Sequence, residues 1–308
     1  MRTGSGQGAA PSGYADRTIT KAPPWHGLVA WDMLFNGLTT GLFLMAAAGE
    51  FLFPDVFAPL ARLAYPIALV FLLVDLACLV FDLGDPWRFH HMLRVVKLGS
   101  PMSVGTWCLT IYSAPLTVVA VISLLDWPFF SGVREHFPWG ALATLEAIRR
   151  IAVFCGLLPA LGSAVYKGVL ISTSSQPGWK AARWLGGYLT SAAPLLGSAF
   201  LLGLATLTRQ ERAAAMLRTS LVPLLVLNLA ALALLAGNVW PALRKRYTTG
   251  QRVRLISIAI VGGIFAPLIL LRVAHGAVCE LVAVLLILTG QLCVRFAVVM
   301  LPQEGHSD

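Results

Sequence analysis

Eight long apolar runs dominate this 308-residue chain, and they limit what it can fold into more than any other feature. A hydrocarbon core about 30 Å thick is crossed by roughly 20 helical residues. Lipid offers no partner to a bare backbone N–H or C=O, so such runs must fold as helices. The runs are read as spans at about Val29–Phe53, Leu60–Phe81, Met102–Leu125, Ile148–Ser172, Tyr188–Leu207, Thr219–Trp240, Leu255–Leu271 and Ala277–Met300. Only 12% of the residues are charged, against about 25% in soluble domains. The fold class is therefore all-α: a polytopic membrane protein with eight transmembrane helices in two four-helix bundles, occupying residues 25–301. Residues 1–24 form a Gly/Ser/Ala-rich tail expected to be disordered, and 302–308 a short C-terminal tail. A net charge of +9 would suit nucleic acid, but basic residues at helix ends are the ordinary topology signal of membrane proteins, so no nucleic-acid partner is expected.

The punctuation agrees with the spans. Pro54 and Pro59 flank the first turn, Asp126-Trp-Pro ends span three, and Gln176-Pro-Gly follows span four. Trp25, Trp31, Trp107, Trp139, Trp179 and Trp240 fall near predicted ends, as interfacial aromatics do. No apolar core follows Arg2, so no cleavable signal peptide is expected. The five cysteines are scattered without a CxxC pair, and no iron–sulfur cluster is expected in this chain. Of the six histidines (His26, His90, His91, His136, His275 and His306) none lies mid-span, which argues against haem, whose axial ligands would sit there.

Polar residues inside spans are costly in lipid, so each is a functional candidate. Asp32 opens span one, with Asn36 a turn further on the same face. Gly37 and Gly41 form a GxxxG pair suited to close helix packing. Glu50, near the end of span one, is read as snorkelling. Asp75 lies deep in span two and needs a partner or a proton. Tyr166 and Lys167 end span four, Asn228 and Asn238 belong to span six, and Glu280, Gln291 and Arg295 to span eight. Arg295 is read as pairing with an acid or reaching the headgroups.

One connection gathers most of the polar and rigid chemistry: FDLGDPWRFHHMLRVVKLGSPMSVGTWCLTIYS, Phe81–Ser113. Spans two and four end, and spans one and three begin, on the same side. Asp32, the Asp82–His91 segment, Tyr166 and the Lys167–Arg183 loop therefore converge at one face. Such a loop suits a ligand with a lipid-soluble tail and a polar ring, and quinone is one. Tyr, His and Asp supply its hydrogen-bond donor and proton carrier. Two other readings stand beside this one: a proton-translocating or transport subunit using Asp75, Glu280 and Arg295, and a purely structural anchor.

The same connection resembles a signature of the polysulfide-reductase membrane-subunit family, also called NrfD-like: D-L-G-x-P-x-R-F-x-H-M, then S-P-M-S-x-G-x-W. WDMLFNGLTTGLFL, YKGVLISTSSQPGWKAARW and GQLCVRFAVVM resemble the family's first span, its connection after span four and its last span. The resemblance implies an eight-helix subunit without haem that binds menaquinone or ubiquinone near one face. It implies a docked four-cluster iron–sulfur partner and a molybdopterin catalytic subunit beyond, so that this chain is not catalytic alone. In the polysulfide reductase member, a residue early in span one and a tyrosine ending span four line the quinone site. Asp32 falls at the first position, where that member has histidine, and Tyr166 at the second. Asp32 and Tyr166 are thus the candidate reacting pair, and Asn36, Asp82, Arg88 and His90 complete the candidate quinone-binding set. Asp85 stands where the family's loop commonly carries a second basic residue.

Fifteen Lys and Arg fall on the side of the termini and eight on the other. The positive-inside rule then expects the termini and the quinone site on the cytoplasmic face of a bacterial inner membrane. The stretch RKRYTTGQRVR contributes most strongly, with five basic residues in one short connection.

Overall fold

The apolar runs fold as eight long helices: α1 (Gly27–Leu52), α2 (Pro54–Phe81), α3 (Pro101–Leu124), α4 (Trp139–Ser172), α5 (Leu185–Leu207), α6 (Glu211–Arg246), α7 (Thr249–Val273) and α8 (Ala277–Val299). Each is long and apolar enough to cross a membrane. The computed structural model describes residues 27–83, 85–174, 176, 178–273 and 276–302. The readings made of residues 1–24, Trp25, His26, His275, His306 and the C-terminal tail lie outside the described residues.

The helices form two bundles of four, α1–α4 and α5–α8, joined chiefly by α1 against α5. Helices α1 and α5 each bury 72% of their most apolar window, α7 only 17%, so the first two are the central pair and α7 is peripheral. Water-driven apolar association is absent in lipid, so helices gain from close van der Waals approach, which small residues permit. A Cβ on Gly41 would sit 1.9 Å from the Ala193 carbonyl oxygen, and one on Gly197 would sit 2.1 Å from the Gly41 oxygen. Gly41 thus seats α1 directly on the α5 backbone, while Gly37 makes room for the side chains of Leu196 and Arg295.

Two helices run beyond their apolar cores. Helix α4 starts at Trp139 rather than Ile148, and α6 covers Glu211–Arg246 rather than Thr219–Trp240. Apolar content marks the part in hydrocarbon, while good helix formers such as Ala, Leu, Glu and Arg carry the helix past it. Pro54 opens α2 at its first turn, but Pro59 lies inside the helix instead of flanking the turn. Membrane helices tolerate this because neighbours satisfy the freed backbone groups.

Glu50 does not snorkel. It is buried, accepts from the Tyr65 hydroxyl at 2.8 Å and pairs with the fully buried Arg149, which also holds Glu146 at 2.8 Å. The end of span one meets α2 and α4 rather than the membrane edge, so the carboxylate finds its partner inside. Trp179 is not interfacial either. It is 2% exposed and donates its indole N–H to the carbonyls of Val298 (3.1 Å) and Val299 (3.2 Å). A helix leaves its last carbonyls without intrahelical donors; the α4–α5 connection supplies donors to those of α8.

Gly41→Val should force α1 and α5 apart. Overpacking of this kind costs about 1–3 kcal/mol or more, so the melting temperature in detergent should fall by several degrees. Gly99→Ala, whose added carbon meets nothing within 4 Å, should leave it unchanged. Equal melting of both variants would show that the α1–α5 contact is not tight.

Candidate functional site

The Phe81–Ser113 connection is built in three pieces. Helix α2 stops at Phe81, a 3₁₀ helix covers Pro86–Leu93, and α3 begins at Pro101. Ser100 caps α3 by accepting from the Ser103 N–H at 3.4 Å, and Pro101 sits at the first helical position, where its missing N–H is no loss. The Ser103 hydroxyl accepts from the Lys97 N–H at 3.0 Å and donates to the Val95 carbonyl at 3.3 Å. The S-P-M-S stretch is therefore a helix start stapled to the loop before it.

Beneath this loop a cleft opens between α1, α2, α3 and α4, with about 660 Å³ of space between its atoms, part of it open to the outside. Val29, Met33, Leu79, Met92, Met102 and Leu170 give it apolar walls. Asp32, Asp82, Tyr166 and Lys167 supply the main polar groups. Methionine walls adapt to irregular apolar ligands. Tyr166 is 8% exposed, and among the described residues nothing hydrogen-bonds its hydroxyl. A buried phenol normally finds a partner, so this one is available to a ligand in the cleft. Its ring leans on Gly105, where a Cβ would lie 1.9 Å from ring Cδ2. The glycine of S-P-M-S-x-G-x-W is thus the space the tyrosine occupies.

Lys167 organises the polar end of the cleft. Its Nζ lies 2.5 Å from Oδ1 of Asp75 and 2.7 Å from Oδ1 of Asp32, and it also donates to the Asp32 carbonyl at 3.2 Å. All three side chains are buried. Asn36 completes the back of the cluster, donating to Asp75 Oδ2 at 3.3 Å and to Ser163 at 3.0 Å. Asp75 thus has its partner, on a helix 92 residues away in sequence. Lys167 was missing from the candidate set. The signal available was its place next to Tyr166, inside an apolar run where a cation needs an acid.

The other candidates are placed unevenly. Asp82 lines the cleft mouth. Asn36 is buried behind the lining, in contact with Asp75 rather than the free space. His90 is exposed, with Nδ1 2.9 Å from the Trp87 carbonyl and its ring 4.3 Å from that of His91, and it does not line the cleft. Arg88 belongs to the 3₁₀ helix, and its side chain lies outside what is described. Among the described residues no group of three His, Cys, Asp or Glu converges as metal ligands do.

A second buried network crosses the α5–α8 bundle. Arg295 is fully buried, and among the described residues no acid pairs with it. It donates to the Gln291 carbonyl at 2.9 Å and side-chain oxygen at 3.1 Å, and lies 5.9 Å from the Tyr188 ring. Gln291 bonds Tyr188 at 2.8 Å and Asn228 at 2.7 Å, and Asn228 reaches Ser191 at 3.0 Å. Neutral dipoles and an aromatic face replace the carboxylate that span-by-span reading expected. Glu280 instead accepts from Thr206 at 2.5 Å and pairs with Arg218 at 3.3 Å.

Fold and site together define a multi-pass membrane protein with one charged, apolar-walled cleft enclosed by its first four helices. The chain belongs to the polysulphide reductase NrfD family, whose model matches residues 18–302, nearly its whole length. That family supplies membrane subunits of oxidoreductase complexes. No curated protein matches the chain.

Lys167→Met would leave two buried carboxylates facing each other. Breaking a buried ion pair from one side costs about 3–5 kcal/mol, read as a lower melting temperature of the purified protein. Adding Asp75→Asn should restore part of the loss. If Lys167→Met melts like the wild type, the cluster is not the charge balance described.

Proposed function

We propose that the chain exchanges electrons between the membrane quinone pool, menaquinone or ubiquinone, and an iron–sulfur subunit docked on the same face, with a molybdopterin catalytic subunit beyond it. The observation that carries this reading is the unpartnered, buried Tyr166 hydroxyl in an apolar-walled cleft that also holds Asp32. Oxidation of quinol to quinone releases two electrons and two protons, and reduction takes them back. Tyr166 donates a hydrogen bond to one ring oxygen and fixes the ring. Asp32, nearest the polar end, exchanges a proton with the other. The cluster has one carboxylate more than it has ammonium groups. Asp32 can therefore take a proton without leaving net charge in the bundle interior, where such charge is costly. Asp75 and Asn36 hold Lys167 in place rather than touch the ring.

The partner surface lies over the cleft. Trp87 is 85% exposed, and Phe89 and Leu98 are also exposed. Apolar side chains presented on a short polar loop are what a protein partner covers. The excess of basic residues on this side supports a cytoplasmic orientation for this face. The proton-path alternative has less support, because Asp75, Glu280 and Arg295 belong to three separate hydrogen-bonded groups.

Asp32→Asn and Tyr166→Phe should each lower quinone-linked turnover of the complex about tenfold, the loss of roughly 1.4 kcal/mol expected for one buried hydrogen bond. Assembly should be unaffected, and normal turnover in both variants would remove the assignment. Trp87→Ala should release the iron–sulfur partner on purification while the chain stays in the membrane. A fluorescent reporter fused after Asp308 that folds only in the cytoplasm should light up; alkaline phosphatase activity there would reverse the orientation.

A further inference from the structure

The basic stretch Arg244–Arg254 takes no part in the quinone cleft. The structure makes it a tight reversal: Arg244, Lys245 and Arg246 are the last turn of α6, and Arg252 and Arg254 lie in the first two turns of α7. Thr248 sets the reversal with a reciprocal cap, accepting from the Gln251 N–H at 3.4 Å while its own N–H donates to Gln251 Oε1 at 3.0 Å. Trp240 lies between the two basic turns. The guanidinium carbon of Arg244 is 5.3 Å from its ring and that of Arg252 is 5.9 Å. Among the described residues, no carboxylate pairs with Arg244, Lys245, Arg246, Arg252 or Arg254.

Directly beside this cationic rim a groove runs between α6, α7 and α8, with about 650 Å³ of space between its atoms, part of it open to the outside. Leu235, Val239, Ile260, Val294 and Val298 wall it, and Arg252 is the one charged residue that lines it. Helices α7 and α8 touch backbone to backbone further in, where a Cβ on Gly263 would lie 2.7 Å from the Gly290 Cα. The groove opens between that contact and the basic turn. Its α7 wall includes Ala259 and Ile260 from a π-helical stretch, Ser257–Phe265, a wide helix form found mostly in single turns and frequently at functional sites.

We infer that this groove is a binding site for an anionic phospholipid, with one acyl chain between α6, α7 and α8 and the phosphate held by Arg244 and Arg252. The charge pattern selects the occupant. Arginine forks match phosphate oxygens, and basic pockets between membrane helices hold anionic headgroups. Quinone fits poorly, because the donors that line the groove, Arg252 and the Trp240 indole, lie side by side and the remaining walls are almost wholly apolar, leaving the second ring oxygen without a partner. A peripheral helix such as α7 gains a permanent neighbour in this way.

The test uses the delipidated full-length protein in detergent, with native mass spectrometry and thermal melting as readouts. The probes are dioleoyl-phosphatidylglycerol, dioleoyl-phosphatidylcholine with the same chains, inorganic phosphate and a short-tailed quinone. Phosphatidylglycerol should bind at least tenfold more tightly than phosphatidylcholine and raise the melting temperature. Arg244→Gln with Arg252→Gln should abolish that preference. Ala259→Phe, which fills the groove and leaves the arginines, should weaken phosphatidylglycerol binding; Ala297→Leu gives a second filling variant should the first not fold. Equal binding of the two lipids, or a preference that survives the arginine changes, would overturn the headgroup assignment. Phosphate competing as well as the whole lipid, or full binding in the filled variants, would overturn the acyl seat. Quinone displacing phosphatidylglycerol from the wild-type protein would replace the lipid with a second quinone position.

Discussion

A polar group buried between helices in lipid has no water to fall back on, so the protein itself must satisfy it. The interior of this chain is organised by that demand. Arg149 sits with Glu50 and Glu146 at one end of the first bundle, and Lys167 with Asp32 and Asp75 at the other. Arg295 makes do with Gln291 and the Tyr188 ring in the second bundle. Each of these cations is buried and each ties helices together. Among the described residues a few buried polar atoms are left without a hydrogen-bond partner, two Arg295 nitrogens among them, and the one that lines the cleft with a free hydroxyl is Tyr166.

Helix α1 serves both bundles through its two faces. Asp32 and Asn36 look into the cleft region, while Gly37 and Gly41 press on α5 and α8. Only a helix with a charged side and a bare side can do both, and the sequence WDMLFNGLTTG writes the two at successive helical spacings. The cleft geometry therefore depends on a glycine contact on the other side of the same helix.

Much of this was readable beforehand, and the reason is physical. Apolar length dictates spanning helices, so all eight were found, although their ends were not, because α4 and α6 continue as helix where hydropathy fades. Asp32 and Tyr166 could be placed at one face by counting spans. Pairing could not be read in the same way. Nothing local marks Lys167 as the partner of Asp75, and the partners of Glu50 and Trp179 lie far away in sequence; Arg295 differs, because its neutral partner Gln291 is one turn away on the same helix, where an acid or the headgroups are expected instead. Periodicity reports which way a side chain points; it does not report what waits there.

The peg made by Trp179 has a bearing on synthesis. Its acceptors, Val298 and Val299, are made 119 and 120 residues after it. Until α8 has been threaded into the membrane, these two carbonyls are not there to receive the indole N–H, and the connection that follows Tyr166 and Lys167 lacks this tie. The first four helices enclose the cleft by themselves, and the eighth pins the connection that follows them. A nascent chain stalled before α8 would carry every residue of the site and still lack the latch on the connection behind it, so that connection takes its final place only when the last helix is in.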